Sequence, residues 1–233
     1  MRQVFLDTET TGLYASQGDR VIEIGCVELV NRKLTGNNLH FYVNPGRDSH
    51  EEALKVHGIT TEFLRDKPPF AHIAGDLLAY LKDAEVIIHN AAFDVGFLDV
   101  ELALAQHDAL RTHVLGIVDT LVMAKAMFPG KRNSLDALCD RLGVDNSGRA
   151  LHGALLDAEL LADVYINLTR GQDALLMDVG DASNAALKRV KADLSKLELP
   201  VILANDTELT AHDDVLRQID KSSGGKTLWH KAA

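Results

Sequence analysis

The sequence predicts an α/β fold: a mixed sheet, antiparallel in its first three strands, flanked by helices and followed by a C-terminal extension. Three strand-like segments succeed one another at the N-terminus with only turns between them. Strands then alternate with helical periods until about residue 170. From Arg170 the composition changes, because Gly171, Gly180, Ser183 and Asn184 dilute the apolar pattern as a linker would.

Residues 3–7 (Gln-Val-Phe-Leu-Asp) read as a buried strand. Val21–Val30 and Leu39–Val43 read as two more, set off by Asn31-Arg32-Lys33 and Gly36-Asn37-Asn38. A helical period begins at Ala71–Leu81, where Ile73, Leu77, Leu78 and Leu81 recur at spacings of three and four. Val86–His89 is a short buried strand, and a helix is expected over Asp94–Gln106. A strand follows at Leu115–Asp119, then helices at Leu121–Met127, Leu135–Leu142 and Leu155–Thr169. A further helix is expected over Ala211–Lys221, begun by Thr210 with Asp213 three residues on and stopped at Ser222-Ser223-Gly224-Gly225. The organisation is therefore one domain over 1–170, a flexible linker over 171–185 and a tail over 186–233.

Composition narrows the function classes. Of 233 residues, 46% are apolar and 25% charged, as in a soluble globular protein. No apolar run approaches the roughly 18 residues a membrane span requires, and Asp7 cuts the N-terminal hydrophobic stretch too early for a signal peptide. Cys26 and Cys139 lie far apart without metal-type spacing and read as reduced thiols, so a cytoplasmic location is expected. The net charge is −10, of which −9 falls on residues 1–177 (25 acidic, 16 basic). Such a surface holds nucleic acid weakly by itself and needs cations or a partner to bring it close.

Several carboxylates stand where a fold alone would not put them. Asp7 and Glu9 leave the end of the first strand two residues apart, on one face, although a solvated strand end entering the Thr10-Thr11-Gly12 turn would suit them equally. Asp94 shares a stripe with Phe97, Leu98 and Leu102, although an N-cap would also suit it. Asp157 shares a stripe with Leu160, Leu161, Val164 and Leu168 and so faces the core, where an unpaired carboxylate costs several kcal/mol or more. Four converging acids repel unless cations neutralise them. Oxygen-only ligands select hard ions, so two Mg²⁺ or Mn²⁺ are expected rather than Zn²⁺. His152, five residues before Asp157, would be turned about 140° from it on one regular helix. It is therefore placed in the loop ahead of that helix, with Gly153 allowing the bend. A neutral imidazole beside an attacking water is a suitable general base.

Three segments carry a resemblance: Asp7-Thr8-Glu9-Thr10-Thr11-Gly12, His89-Asn90-Ala91-Ala92-Phe93-Asp94-Val95-Gly96-Phe97-Leu98, and His152-Gly153-Ala154-Leu155-Leu156-Asp157. In order and in spacing they resemble the three motifs of the DEDD family of 3′→5′ exonucleases, histidine subtype, over about residues 1–170. The resemblance implies a ribonuclease H-like fold. It implies that Asp7, Glu9, Asp94 and Asp157 hold two metal ions and that His152 activates water. Glu52 and His57 lie in a segment resembling a substrate-contacting stretch of that family, His57 serving equally well as an ordinary helix-end residue. Thr10, Leu13 and Phe93 would shape the pocket for the terminal base, with Glu9 at its edge; a core role suits Phe93 as well.

Within the family the match is to the proofreading partners of replicative polymerases. That implies a DNA 3′ end as substrate and the polymerase catalytic subunit as partner. Gln172-Asp173-Ala174-Leu175-Leu176-Met177 resembles a sliding-clamp peptide in Gln172 and Leu175, with Met177 where an aromatic is usual. Trp229, beside Leu228 in a polar tail, is a candidate polymerase anchor. Two rivals stand beside this reading: an exoribonuclease of the same fold, and a non-catalytic module bridging clamp and polymerase.

Overall fold

The computed structural model describes residues 1–148, 151–170 and 203–224. The chain divides into two compact units, Met1–Val179 and Gly180–Ala233.

In the first unit β1 (Arg2–Thr10) runs three residues beyond the Asp7 end suggested by apolar content. Its pairing with β2 (Val21–Val30) continues through Glu9↔Glu23 to Thr10↔Val21, with a register shift at Glu9/Thr10. Ladder hydrogen bonds, rather than hydrophobicity, set where the strand stops, and the irregularity ends it beside the acids. β4 (Leu39–Tyr42) pairs with β2 antiparallel, and so does β3 (Lys33–Leu34). β3 was not anticipated, since Lys33 read as part of a turn.

β5 (Glu85–Ile88) and β6 (Gly116–Asp119) join in parallel. The sheet therefore has the mixed order β3-β2-β1-β5-β6, with β4 also on β2. β2 is buried on both faces for nine of its ten residues, which is why it reads as a continuous apolar run.

Helices cover both faces. Between β4 and β5 lie α1 (Glu51–His57), α2 (Thr61–Leu64) and α3 (Phe70–Leu81). The first two were missed because they are too short to show a period, although Glu51 and Glu52 in the first turn and Gly58 at the C-cap mark α1. α4 (Ala91–Leu104) follows β5; α5 (Thr120–Met127), α6 (Leu135–Leu142) and α7 (Ala154–Leu168) follow β6. On one face Val4, Leu6, Ile24, Val86 and Ile88 pack with α3 and α4 through Leu77, Leu81, Phe97 and Leu98. On the other, Phe5, Val27, Leu29 and Ile87 pack with α6 and α7 through Leu138, Leu161 and Val164. Cys26 and Cys139 are buried thiols, one in each core.

In the second unit α8 (Asp206–Ser223) starts five residues before the Ala211 expected. Asn205 caps it, accepting from Glu208 N while the Glu208 carboxylate accepts from Asn205 N, so the capping box sits five residues earlier than the one read from the sequence. Thr210 Oγ1 instead donates to Asp206 O within the helix. The helix stops at Gly224, as expected. Gln172, Leu175, Met177 and Trp229 lie outside the described residues. No helix among the described residues is long and apolar enough to cross a membrane.

The seat of α7 on β2 depends on Gly25. A Cβ there would lie 2.2 Å from Leu155 N and 2.3 Å from the Ala154 carbonyl carbon, both backbone atoms that cannot rotate away. Gly25→Ala is expected to push the start of α7 off the sheet. A loss of about 1–3 kcal/mol should appear in urea denaturation, together with a marked fall in whatever activity the adjoining acids support.

Candidate active site

The acids of interest gather at the end of β1. Asp7 and Glu9 project to the face that carries Phe5 and α7, whereas Thr8 projects to the face of α4. There Thr8 Oγ1 donates to Asp94 Oδ1 at 2.7 Å. Asp94 is 3% exposed and sits in the first turn of α4. It is not the N-cap that the sequence allowed, because α4 begins three residues before the start expected. Asn90 occupies the cap with φ 68°, and the first helical N–H, from Ala91, goes to Asp119 Oδ2 at 3.1 Å. Asp119 Oδ1 meanwhile accepts from Leu121 and Val122 N, so one carboxylate starts both α4 and α5. Burial pushes the Asp94 carboxyl up to about 7, partly opposed by its bonds from Thr8.

α7 brings Asp157 to the opposite side. Glu9, His152 and Asp157 each offer a ligand atom within 4.8 Å of the others. His152 lies ahead of α7, as expected, with Nδ1 3.3 Å from Asp157 Oδ2. Its backbone N donates to Val56 O at 3.1 Å, which ties the loop to α1. Asp7 and Asp94 are not members of this three-residue cluster. Asp7 stands opposite Gly25 on β2, and Asp94 is held by Thr8 from the other face. The donor set, two buried carboxylates and one imidazole, suits a divalent cation that takes oxygen and nitrogen ligands.

Beside the cluster opens a cavity of about 680 Å³ whose wall includes Glu9, Thr10, Leu13, Glu52, His57 and Phe93, all six residues expected at a substrate pocket. Their states differ. Leu13 is exposed at the rim. Thr10 Oγ1 donates to Gly12 O at 2.6 Å, which braces the turn. Phe93 serves both readings, since it lines the cavity and stacks at 4.9 Å on core Phe97. His57 is 4% exposed and accepts from Ile59 N through Nδ1 at 2.9 Å, which leaves the neutral-ring proton on Nε2. That Nε2 has no hydrogen-bond partner among the described residues. Burial lowers the His57 pKa, keeping the ring a neutral donor.

Sequence reasoning missed Tyr14, Asp19, Arg47 and His50 on the same wall. Asp19 accepts from Tyr14 N at 3.0 Å and meets His50 Nε2 at 3.0 Å and Arg47 at 3.2 Å. Burial raises its carboxyl, but these bonds and charges outweigh that and hold it below the usual carboxylate range. Such a network joins residues 30 apart in a loop and leaves no periodic trace.

The sequence profile of the exonuclease family (RNase_T) matches residues 4–165. The chain belongs to the exonuclease family. Curated relatives named DNA polymerase III subunit epsilon include one from Haemophilus influenzae, 47% identical over 99% of this chain and 95% of that protein. One from Escherichia coli K12 is 48% identical over 98% of this chain and 97% of that protein. Among solved structures, an exonuclease X bound to 5′-overhanging duplex DNA is 26% identical, with TM-score 0.57 over 73% of this chain and 93% of that one. Exonuclease I, at 20% identity and TM-score 0.64 over 74% of this chain and 42% of that one, shares the fold. The ribonuclease H-like class expected from the sequence is the fold of this exonuclease.

With its folded pKa raised from 3.8 to about 7, Asp94 favours the folded state below pH 4 and loses that contribution as pH rises toward 7. Asp94→Asn should therefore raise the melting temperature of the metal-free exonuclease at pH 8 and do so less at pH 5. Thermal melts in chelator at both values check this; equal effects would refute the buried-charge account.

Proposed function

We propose that this chain is a metal-dependent 3′→5′ exodeoxyribonuclease that releases 5′-mononucleotides from DNA 3′ ends, as the proofreading partner of a replicative DNA polymerase. The observation that carries the reading is the cluster of Glu9, Asp157 and His152 within 4.8 Å, which shares Glu9 with the wall of the cavity. Its setting in a chain 48% identical to proteins named DNA polymerase III subunit epsilon supports the polymerase partner and a place in the cytoplasm.

In this reading Asp7, Glu9, Asp94 and Asp157 hold two divalent ions, Mg²⁺ or Mn²⁺. The ions, when bound, neutralise the acids and stabilise charge on the attacking and leaving oxygens of the phosphodiester. Asp157 orients the His152 ring through Nδ1, and Nε2 takes the proton of the attacking water. His57 Nε2–H donates to an oxygen at the 3′ terminus, with Glu52 on the same wall. Leu13 and Phe93 bracket the terminal base, and the braced Thr10 turn fixes the floor between them.

The acidic surface supports a division of labour. A chain of net charge −10 binds DNA weakly alone. Held by the polymerase, and by a sliding clamp through Gln172, Leu175 and Met177, it samples the primer end at high effective concentration. Trp229 is the proposed anchor on the polymerase catalytic subunit. A frayed, mispaired end enters the cavity more readily than a paired one.

Release of nucleotides from 3′-labelled single-stranded DNA and from the matching RNA tests the reading. Activity should require Mg²⁺ or Mn²⁺, vanish in chelator, and fall at least about 10³-fold in Asp7→Ala and 10²-fold in His152→Ala. A strong preference for RNA would keep the mechanism and replace the substrate. No release from either strand would leave a bridging module.

A further inference from the structure

A fourth buried carboxylate stands behind the cluster, and neither the motif reading nor the chemistry above uses it. Glu23 is 2% exposed, on β2 directly opposite Glu9. Both of its oxygens are engaged: Oε2 accepts from Ala154 N at 3.1 Å, and Oε1 meets His40 Nε2 at 2.6 Å. It is not part of the ligand cluster.

The bond to Ala154 matters because of how α7 begins. Its N-cap is Gly153, which has no side chain to satisfy the first N–H groups. Glu23 supplies that acceptor from the neighbouring strand, and the positive end of the helix in turn favours its charge. His152 is thus pinned on both sides: its own N–H to Val56 O, and the N–H two residues later to Glu23. The His152 side chain is 43% exposed, so the backbone anchors add to its contact with Asp157 in fixing where the ring sits. His40 stands opposite Gly25 on β4, donates through Nε2 and fixes which way the Glu23 carboxylate faces.

We infer that Glu23, oriented by His40, is a positioning residue of the exonuclease: it clamps the first peptide of α7 and thereby sets His152 against Asp157. The inference rests on the exonuclease reading above and adds a residue to it. The side chain itself touches no substrate; it acts through the Gly153–Ala154 backbone.

The test compares wild type, Glu23→Ala, Glu23→Gln and His40→Ala by kcat and KM for mononucleotide release, and by hydrogen exchange of the Ala154 amide in metal-free protein. Glu23→Ala should lower kcat about 10- to 100-fold with KM within about twofold, and speed exchange at Ala154 about tenfold or more. Glu23→Gln keeps an oxygen for Ala154 N and should recover most of kcat and of the protection. His40→Ala keeps the acceptor but frees its orientation, and should fall between. Unchanged kcat in Glu23→Ala, a loss confined to KM, or an equal fall in Glu23→Gln would overturn the inference. Should Glu23→Ala not fold, unchanged kcat and exchange in His40→Ala would do so. Wild type that releases no nucleotide would defeat the exonuclease reading instead, so the two failures are separable.

Discussion

Where α7 begins, its backbone rests directly on β2, because Gly25 presents no side chain to hold it away. Much of the site follows from that contact. It brings Asp157 within reach of Glu9 across the sheet surface, lets Glu23 meet the helix N-terminus, and leaves His152 in the loop just ahead of the helix, against Asp157. Two rungs of the sheet on one face, separated by the Thr8–Ile24–Phe41 rung, explain the layout: Asp7, Gly25 and His40 form one, Glu9, Glu23 and Tyr42 the other. Gly25 is the gap in a row of polar side chains into which the helix fits.

The site is built against an electrostatic gradient. Asp94 approaches from the α4 face with burial opposing its charge, while Asp157 and Glu9 converge from the other. The fold offsets this locally, for the most part with neutral hydrogen-bond donors. Thr8 serves Asp94, Ala154 N and His40 serve Glu23, and Asp19 draws on Tyr14 N, His50 and Arg47. Away from the ligand set, Glu101 takes a guanidinium, with Arg20 bonding both oxygens at 2.7 Å, and Glu28 takes Arg2 at 2.5 Å. The Arg20–Glu101 pair ties the start of β2 to α4. Neutral donors reduce the cost of burying the acids without competing with a divalent ion for them.

Much of this was legible in the sequence, for identifiable reasons. β2, α6 and the end of α3 carry strong periodic or continuous apolar signals, and their bounds agree with the expectation. Asp157 was visible as an acid on an apolar stripe. Boundaries failed where a tertiary partner decides them: Asp119 starts α4 three residues early, and the β2 ladder prolongs β1 through Glu9. Glu23 left a trace that could have been followed, namely an acid inside a ten-residue strand too apolar to be half-exposed. Asp19 left none, since its partners lie in loops 5 to 31 residues away.

Asp119 has a consequence for how the domain opens. Its two oxygens hold the first N–H groups of α4 and α5 at once, and its Cα closes the β5–β6 ladder opposite Ile88. Fraying at either helix start releases the carboxylate that caps the other, so their thermal fluctuations are linked through one side chain. The starts of the two helices are thus tied through one side chain, and Asp94, in the first turn of α4, sits close to that tie.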